Sequence, residues 1–425
     1  MMFRSIAQPL AIIALAASVA LAGEPTALDW RQWGGPHRNF ISASTGLADA
    51  WPEDGPPVIW KRDLGDGYSS IAVDEGVLYT MYRKGAQEFA VALDARDGHT
   101  LWEHGNPSPL TQQMQYYGPG PHSTPLIVDQ RVFTAGANAD LFCFDKKSGR
   151  LIWQHDLLIE RQLIVPTYGY AASAIAYGDT VIFPVMGDSN TPRTWVTAFD
   201  QADGRVIWNA ELPRRYSEQS EFSSPILIRF DGEDQLVYLT NEVVVGLNPR
   251  DGEVLWSIPH PNRQGVNITT PVWDGRDRLF CSGAYDSGAQ GIRLKKENGK
   301  TVAEQLWSSR KLRIHQGTAI LVGDTIYASS GDFGPAFFTA MNLQTGEAIW
   351  RERGFKKVNS LYADGKLIML DEDGVLALAR VSPEKFELLS RCQLTSRISW
   401  TVPTLVDTTL YVRDRRQIMA LNLGR

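Results

Sequence analysis

Seven histidines carry most of the acid–base and metal-binding potential of this sequence near neutral pH. They are His37, His99, His104, His122, His155, His260 and His315. Their positions show no metal-ligand spacing, so no metal site is predicted from them. A single histidine at a concave site could still act as a general base. Which of the seven could do so depends on where the fold places them.

Acidic residues and glycine-rich turns could bind a calcium ion or a nucleotide. The stretch Asp371-Glu372-Asp373-Gly374 is acidic enough to suggest calcium. It lacks the alternating oxygen ligands that end in Glu, so a hairpin turn is predicted instead. Gly118-Pro119-Gly120 is too short for a dinucleotide fingerprint. The sequence contains no nucleophile elbow, phosphate loop or Cys-x-x-Cys motif.

The three cysteines, Cys143, Cys281 and Cys392, are far apart in the sequence. Cys143 and Cys281 stand in apolar strand runs, which favours small buried hydrophobic side chains over reactive thiols. An odd number leaves at least one cysteine unpaired within the chain. No disulfide framework is predicted.

The elements that must position these side chains are short hairpins that recur along the chain. In residues 144–153, Asp145 can cap its own turn, and Gly149 supplies a backbone conformation that a side chain would resist. Related hairpins end at tryptophans spaced 43 to 55 residues apart, namely Trp102, Trp153, Trp208, Trp256, Trp307 and Trp350. A period of this length, built on strands and turns, is typical of a β-propeller. Because the tryptophans recur, we expect interblade packing rather than ligand stacking.

Each repeat is read as four strands, and eight first strands can be counted. We therefore predict an all-β, eight-bladed propeller of four-stranded antiparallel blades. The seventh blade is irregular, with Ser390 at the tryptophan position. Residues 58–64 look like an outer strand without a blade, and the C-terminal blade lacks one. We expect this N-terminal strand to complete the last blade and to close the ring, which removes two exposed sheet edges.

The recurrent Asp-x-x-[Asp/Ser/Thr]-Gly-x-x-[Leu/Ile/Val]-Trp hairpin resembles the pyrroloquinoline-quinone-type (PQQ-like) β-propeller repeat over about residues 58–423. The resemblance implies that the Gly turn and the Trp of neighbouring blades dock on one another. It extends to quinoprotein dehydrogenases and to non-enzymatic propellers such as the lipoprotein of the outer-membrane barrel assembly machinery, so function stays open. Trp33-Gly34-Gly35-Pro36 with Gly67-Tyr68-Ser69-Ser70 is also similar to exported bacterial propellers.

The resemblance also implies what a quinone-dependent enzyme of this fold needs. Such enzymes hold the quinone with two adjacent cysteines, a Trp floor, and calcium-ligating Glu and Asn near a catalytic Asp. This sequence has no adjacent cysteine pair. No cofactor is therefore predicted, and PQQ stays an alternative that is not favoured.

The N-terminus predicts export. Residues 1–4 carry a positive charge, residues 10–21 are almost wholly apolar, and Ala20-Leu21-Ala22 is a small-x-small cleavage site. We assign residues 1–22 to a signal peptide, 23–57 to a lead-in and 58–425 to the propeller. No cysteine follows the cleavage site as in a lipoprotein, so a periplasmic or secreted protein is expected. The lead-in is expected to lie across the outside of the fold, anchored by its tryptophans.

The composition limits the classes of molecule that the protein is expected to bind. The 425 residues are 43% hydrophobic and carry a formal net charge of −6, which gives no general attraction to nucleic acid or anionic membranes. No second run is apolar enough to span a bilayer. A monomer is expected, with an unidentified protein or small-molecule ligand.

The candidate site follows from the propeller geometry. Longer connections share one face, and residues just before each first strand should ring the mouth of the central funnel on that face. These candidates are Tyr68, His122, Tyr170, Glu221, Asn267, His315, Gln316, Lys357 and Trp400. Polar and aromatic groups that converge on a concavity indicate a ligand site, although they could also merely solvate the rim.

The sequence thus favours an exported binding or scaffold module with its ligand at this mouth, and it assigns no catalytic residue. Two alternatives stay open, a quinone (PQQ)-dependent oxidoreductase and a polymer- or carbohydrate-acting enzyme.

Overall fold

The computed structural model describes residues 29–161, 167–186, 193–213, 222–332 and 336–425. These residues form eight four-stranded antiparallel sheets, arranged as the blades of a propeller. The predicted architecture and blade number are confirmed. The predicted signal peptide lies outside the described residues.

Each of the first four blades is built from four consecutive strands, ordered from the central channel outward. Blade 1 contains β2 (Ala72–Asp74), β3 (Val77–Lys84), β4 (Gln87–Asp94) and β5 (Thr100–Pro107). Blade 2 contains β6 (Leu126–Val128), β7 (Arg131–Ala135), β8 (Asp140–Asp145) and β9 (Leu151–Asp156). Blade 3 contains β10 (Ile175–Tyr177), β11 (Thr180–Met186), β12 (Arg193–Asp200) and β13 (Val206–Pro213). Blade 4 contains β14 (Ile226–Phe230), β15 (Glu233–Leu239), β16 (Val243–Leu247) and β17 (Val254–Pro259).

The remaining blades follow the same order, except that the last one combines both ends of the chain. Blade 5 contains β18 (Val272–Trp273), β19 (Arg278–Gly283), β20 (Gly288–Glu297) and β21 (Lys300–Ser309). Blade 6 contains β22 (Ala319–Val322), β23 (Thr325–Ser330), β24 (Phe337–Asn342) and β25 (Ala348–Glu352). Blade 7 contains β26 (Val358–Ala363), β27 (Lys366–Asp371), β28 (Val375–Val381) and β29 (Phe386–Gln393). Blade 8 contains β30 (Thr404–Val406), β31 (Thr409–Arg413), β32 (Gln417–Asn422) and β1 (Val58–Asp63).

The pairing of β1 with β32 confirms the predicted ring closure. The two strands are antiparallel, with Lys61 opposite Met419 and Asp63 opposite Gln417. Because β1 takes the outer position, blade 8 has the same four strands as the other blades. Closure in this way covers the edge of β32, which would otherwise be unpaired.

Each outer-strand tryptophan lies opposite a small residue of the third strand. Trp102 is paired with Ala92, and Trp256 is paired with Gly246, with a β-bulge directly after each pair. Added side-chain atoms at Gly246 would collide with the indole ring. Blade 7 has Ser390 at the equivalent register, opposite Leu378, as the sequence predicts.

Neighbouring blades are joined by this tryptophan. Trp102 of blade 1 donates its Nε1–H to the carbonyl of Lys146 in the blade 2 turn at 3.0 Å. The ring packs on Gly149, whose φ is +69°. The same indole-to-carbonyl bond recurs from Trp60 to Ala95, Trp153 to Gln201, Trp208 to Pro249, Trp307 to Leu343 and Trp350 to Ser382.

Blade 4 is the exception. Trp256 donates instead to Oε1 of Gln235 in its own blade at 2.7 Å. The cause is the insertion in blade 5, whose β20–β21 hairpin extends by several residues. Its turn glycine, Gly299, has no neighbouring atom within 4 Å of where a Cβ would lie. The longer hairpin therefore carries its turn out of reach of the preceding tryptophan.

The expectation that the lead-in lies across the outside of the fold was wrong for residues 30–42. Residues 51–55 do lie on the outer strand β29, where the Trp51 N–H donates to Oγ of Ser390 and Gly55 packs on Cys392. Residues 30–42, called the plug here, cross the central channel and contact the inner strands of several blades. The backbone of Trp30 pairs with Val73 of blade 1, and Ser42 bonds to Tyr362 of blade 7.

Arg38 holds the plug in place. Its guanidinium donates to the carbonyls of Ser173 and Ala174 in blade 3, at 3.2 and 2.9 Å. The residue is 3% exposed, and burial lowers the pKa of its guanidinium to about 9. The two Nη groups meet carbonyl oxygens, which offsets part of the cost of burying the cation, whereas Nε has no partner.

The hydroxyl residues that precede the first strands bond from blade to blade around the channel. The backbone N–H of Thr124 donates to Oγ of Ser173, whose own N–H donates to Oγ of Ser224, each at 2.9 Å. Thr318 and Ser360 form the equivalent link between blades 6 and 7. These side chains therefore serve the ring itself, and the hydrophobic core lies between the blades.

Two short helices that the sequence reading did not predict lie in the connections between blades. They are α1 (Gln112–Tyr117) and α2 (Leu157–Arg161). The outer strands β5, β9 and β13 also run several residues into the segments expected to be loops. Cys143, Cys281 and Cys392 are buried free thiols. Within the described ranges, no helix is long and apolar enough to cross a membrane.

A pair of glycine substitutions tests the docking interaction. Gly149→Ala and Gly299→Ala both place a side chain at positive φ, which is unfavourable by about 1 kcal/mol in each case. Only at Gly149 would the new Cβ lie 2.5 Å from the Trp102 ring. We expect Gly149→Ala to lose a further ~1–3 kcal/mol of unfolding free energy, measured by urea denaturation. Equal losses in the two variants would contradict the docking role of Gly149.

Candidate functional site

A cavity of about 610 Å³ opens on the face that carries the connections between blades. We call its opening the mouth and the space the mouth cavity. Its walls are the small residues that start the inner strands, among them Ser173, Ser224, Thr270 and Thr318. Because these side chains are short, eight blades leave open space at the axis.

The floor of the mouth cavity comes from the plug. Trp33 and Phe40 both line the space, with ring centroids 5.3 Å apart in an edge-to-face arrangement. The Nε1–H of Trp33 donates to Oγ1 of Thr270 in blade 5 at 2.8 Å. Gly34 and Gly35 have φ of +71° and +78°, a turn that other residues resist. The Trp-Gly-Gly-Pro stretch therefore places an aromatic ring at the bottom of the channel.

Three aromatic side chains from neighbouring blades form one wall. Tyr68 stacks on His122 with centroids 5.3 Å apart, and it lies 5.0 Å from Trp400 at a tilt of 38°. Burial lowers the pKa of His122 to about 4 and raises that of Tyr68 to about 12. Both rings are therefore neutral at physiological pH, and the wall is an apolar, π-rich surface.

The opposite wall carries a second imidazole. The Tyr285 hydroxyl and Nε2 of His315 are 2.5 Å apart. Burial and the nearby Lys357 ammonium lower the pKa of His315 to about 4, although Asp332 acts in the other direction. Nδ1 of His315 and Oε1 of Gln316 are buried polar atoms without a hydrogen-bond partner. Such atoms are rare in folded proteins and call for an explanation.

One acidic residue behind the wall orients two lining residues. Oε2 of Glu372 lies 3.6 Å from Nζ of Lys357 and accepts the Nε1–H of Trp400 at 3.1 Å. Glu372 does not itself line the cavity. Glu372, which belongs to the stretch predicted to form a hairpin turn, therefore holds two lining side chains of the mouth in position.

An aromatic lip overhangs the mouth. Thr111 caps α1 by accepting the backbone N–H of Met114, and the helix presents Tyr116 and Tyr117, which are 79% and 49% exposed. The Tyr68 hydroxyl donates to the carbonyl of Tyr117 at 3.1 Å. The lip is thus tied directly to the aromatic wall.

Six of the nine predicted site residues line the mouth cavity together. They are Tyr68, His122, His315, Gln316, Lys357 and Trp400. Two others do not line it. Tyr170 packs into the core between blades 2 and 3, and Asn267 is fully buried, with its Nδ2 donating to the carbonyl of Thr240 at 2.7 Å. The ninth, Glu221, lies outside the described residues.

The sequence reading missed the floor and part of the rim. The cavity is also lined by Trp33, Phe40, Tyr168 and Tyr285, none of which directly precedes a first strand. Phe222 lines it too and does directly precede Ser223, but the prediction named Glu221 in its place. Two stretches of the sequence could have indicated these lining residues, namely the Trp33-Gly34-Gly35 turn and the adjacent tyrosines Tyr116 and Tyr117. The plug is a single segment outside the repeat. The repeat pattern therefore gives no indication that the lead-in enters the channel.

The lining was compared with what a calcium-bound quinone requires. A calcium ion takes six to eight oxygen ligands, among which carboxylates are usual. Among the described residues that line the mouth cavity there is no Asp, Glu or Cys. An aromatic floor is present in Trp33, but the donor set for calcium and the adjacent cysteines are not. These residues do not fit that cofactor.

One group of metal-capable side chains lies elsewhere. In the described part of the chain, Asp94, Asp97 and His99 are the three residues close enough to share an ion. They form the β4–β5 turn, on the face away from the mouth. Asp94 pairs with Arg96 at 2.6 Å, and Asp97 accepts the His99 backbone N–H. The turn accounts for them without a metal.

Comparison with known proteins gives two kinds of relative. A family model described as outer membrane protein assembly factor BamB matches residues 40–162 and 87–352. The assembly factor BamB of Yersinia pestis is 22% identical over 312 residues, which is 69% of this chain and 72% of that protein. Quinoprotein alcohol dehydrogenase PedH of Pseudomonas putida is 22% identical over 60% of this chain but only 38% of its own length.

Solved structures support the fold. BamB from Moraxella catarrhalis superposes with a TM-score of 0.59 at 16% identity, covering 87% of this chain and all of that one. Quinohemoprotein alcohol dehydrogenase from Comamonas testosteroni gives 0.67 at 13% identity, covering 95% of this chain and 82% of that one. At these identities the likeness concerns architecture alone.

Because His122 and His315 are neutral in the folded protein, we expect the free energy of unfolding to decrease at acidic pH. The pKa values of His122 and His315 are lowered to about 4, whereas an unfolded histidine titrates near 6.5. Between these values the unfolded state binds more protons, so stability is full above about pH 6.5 and falls as the pH drops toward 4. We expect His122→Phe, which keeps the stacked ring, to weaken this dependence in urea denaturation at pH 7 and pH 5.

The exposed His37 provides the matched control, because His37→Phe also removes one imidazole. A His122→Phe variant whose stability falls between pH 7 and pH 5 as much as that of the parent would show that His122 is not held neutral by burial.

Proposed function

The chain belongs to the PQQ-like β-propeller family, and on this premise we propose that it is an exported binding scaffold that receives its ligand in the mouth cavity. The ligand is a protein segment or a small molecule. The observation that carries the proposal is the lining of the cavity, which combines aromatic faces with the polar residues His315, Gln316 and Lys357. Pockets of this size with a few convergent polar groups are typical of ligand sites.

The lining supports binding more than chemistry. Hydrolysis of a glycosidic bond usually needs a pair of carboxyl groups across the substrate, and none lines the described part of the cavity. The two imidazoles there have pKa values near 4. They are therefore poor proton acceptors at neutral pH, where a general base is most effective with a pKa near the working pH.

The kind of relative supports a protein partner. The match to an outer membrane protein assembly factor covers most of both chains, whereas the match to a quinoprotein dehydrogenase covers 38% of that enzyme. The lip residues Tyr116 and Tyr117 line the mouth and are exposed. Exposed aromatic and aliphatic residues near a cavity are the usual composition of a protein contact. Export rests on the predicted signal peptide.

The proposal is tested with the purified protein as bait in the exported fraction of the source organism. We expect the parent to retain a discrete partner or small molecule, identified by mass spectrometry. Trp400→Ala and His315→Ala should lose it, because they remove one aromatic wall and one polar wall. Ile207→Ala, on the exposed outer strand of blade 3, is the control and should retain it.

Melting temperatures establish that the variants are folded. Retention of the same molecules by both mouth variants would place the site elsewhere. A parallel titration with the quinone and calcium, followed by dye reduction, should give no signal. Saturable quinone binding with dye reduction on an alcohol or sugar would favour the oxidoreductase instead.

A further inference from the structure

We infer that the protein carries a second interaction surface, outside the mouth cavity, which docks an acidic segment of a partner protein. The surface consists of exposed cations at the outer part of blade 6 and its neighbours, and is called the basic patch here. Its members are Arg310, Lys311, Arg351, Arg353, Lys356 and Arg391. The inference goes beyond the proposed function, because no residue of the basic patch lines the mouth cavity.

The basic patch is one continuous surface. Its residues come from the connections that follow β21 and β25, from the end of β25 and from the end of β29. The guanidinium group of Arg351 donates to the carbonyl of Lys311, which joins blade 6 to the connection before it. Nη1 of Arg391 is 3.6 Å from where a Cβ of Gly354 would lie, which joins blade 7 to the connection after β25. Three neighbouring blades therefore present their cations together.

Two phenylalanine rings orient the guanidinium groups. Cζ of Arg351 and Cζ of Arg353 lie 5.6 and 5.2 Å from the ring centroid of Phe337. Cζ of Arg391 lies 4.9 Å from the ring centroid of Phe355. A guanidinium group stacked on a ring is preorganised, so it loses less freedom when it binds. Two like charges held at one ring also repel each other, and a bound carboxylate relieves that repulsion.

The charges of the basic patch have no partner within the protein. In the described part of the chain, no carboxylate forms an ion pair with any of its six cations. The neighbouring Arg313, by contrast, pairs with Asp332 and Asp286 at 3.5 and 3.7 Å. Glu352 stands between two of the arginines in the sequence, but it is paired with Phe338 and alternation along β25 directs it to the other side. The patch is therefore available to an external anion.

The charge of the whole chain makes this surface selective. The formal net charge is −6, so the surface outside the basic patch is acidic on balance. An acidic partner is repelled there and attracted only at the patch. Such a distribution steers the encounter and fixes the orientation of the partner.

The composition of the basic patch favours a protein over a bilayer. Four of its six members are arginines, and arginine and aromatic residues are enriched in protein interfaces, where lysine is depleted. Surfaces that bind bilayers usually add exposed apolar anchors. Phe337 is half-buried and Phe355 is buried, so neither ring beneath the guanidinium groups is free to enter a membrane.

The inference is tested by fluorescence anisotropy with a labelled peptide of alternating glutamate and glycine, and with its glutamine–glycine counterpart. We expect only the acidic peptide to bind. Its affinity should fall at least about tenfold between about 0.02 M and 0.2 M salt, because exposed charges are screened. The double variant Arg351→Gln/Arg353→Gln should weaken binding about tenfold, because each exposed ion pair contributes a few-fold.

Lys147→Gln/Arg150→Gln is the matched control. It removes two exposed cations from the β8–β9 turn on the opposite face and should leave the affinity within about twofold. Melting temperatures establish that both double variants are folded. Equal weakening by the two double variants, or no binding of the acidic peptide to the parent, would overturn the inference.

The other classes of partner are tested with the same variants. Tighter binding of phosphatidylglycerol vesicles or of dextran sulfate than of the peptide, lost in Arg351→Gln/Arg353→Gln, would overturn the assignment to a protein partner. The mouth variants Trp400→Ala and His315→Ala should bind the acidic peptide as the parent does. Loss of the peptide in these variants would place it in the mouth cavity and overturn the second surface, while leaving the proposed function intact.

Discussion

The contact of the outer-strand tryptophans with the turn of the next blade, made by every one described except Trp256, is the interaction on which this molecule depends. Trp102 spans the gap to Lys146 and Gly149 with a hydrogen bond and a ring face. The contact recurs around the ring, so it sets the spacing and tilt of the blades. With eight blades at that spacing, the short side chains of the inner strands cannot fill the axis. The mouth cavity is thus a consequence of the outer contacts.

The features that recur in every blade could be predicted from the sequence, whereas the features that occur once in the chain could not. The hairpin signal gives eight blades, the closing strand β1, and six lining residues, because position within a blade determines direction toward the channel. Tyr170 and Asn267 lie one residue before the position that Tyr68 and His122 occupy, and their partners are the core of blades 2 and 3 and the carbonyl of Thr240. Ala171 and Ile268 stand at the equivalent position and line the cavity. The plug depends on contacts between residues more than a hundred positions apart, which no local pattern reveals.

The same distinction applies to the site. Its walls follow from the repeat, but its chemistry comes from single residues that the repeat does not specify. Trp33 and Phe40 supply the floor, and Glu372 orients Lys357 and Trp400 from behind. A propeller can therefore change its ligand by changing a few residues at the mouth, while the docking contacts keep the blades in place.

The plug also has a consequence for how the protein folds. Its partners lie in blades 1, 2, 3, 5 and 7, so its binding surface exists only after nearly the whole chain has been arranged. Residues 30–42 are synthesised before all of these partners, yet they must take their final place after them. The plug, although it is synthesised early, can therefore bind in its final position only when the ring of blades is complete. A chain that stalls with a blade missing keeps an open tube and a loose, Trp-containing N-terminal segment, which proteases can recognise.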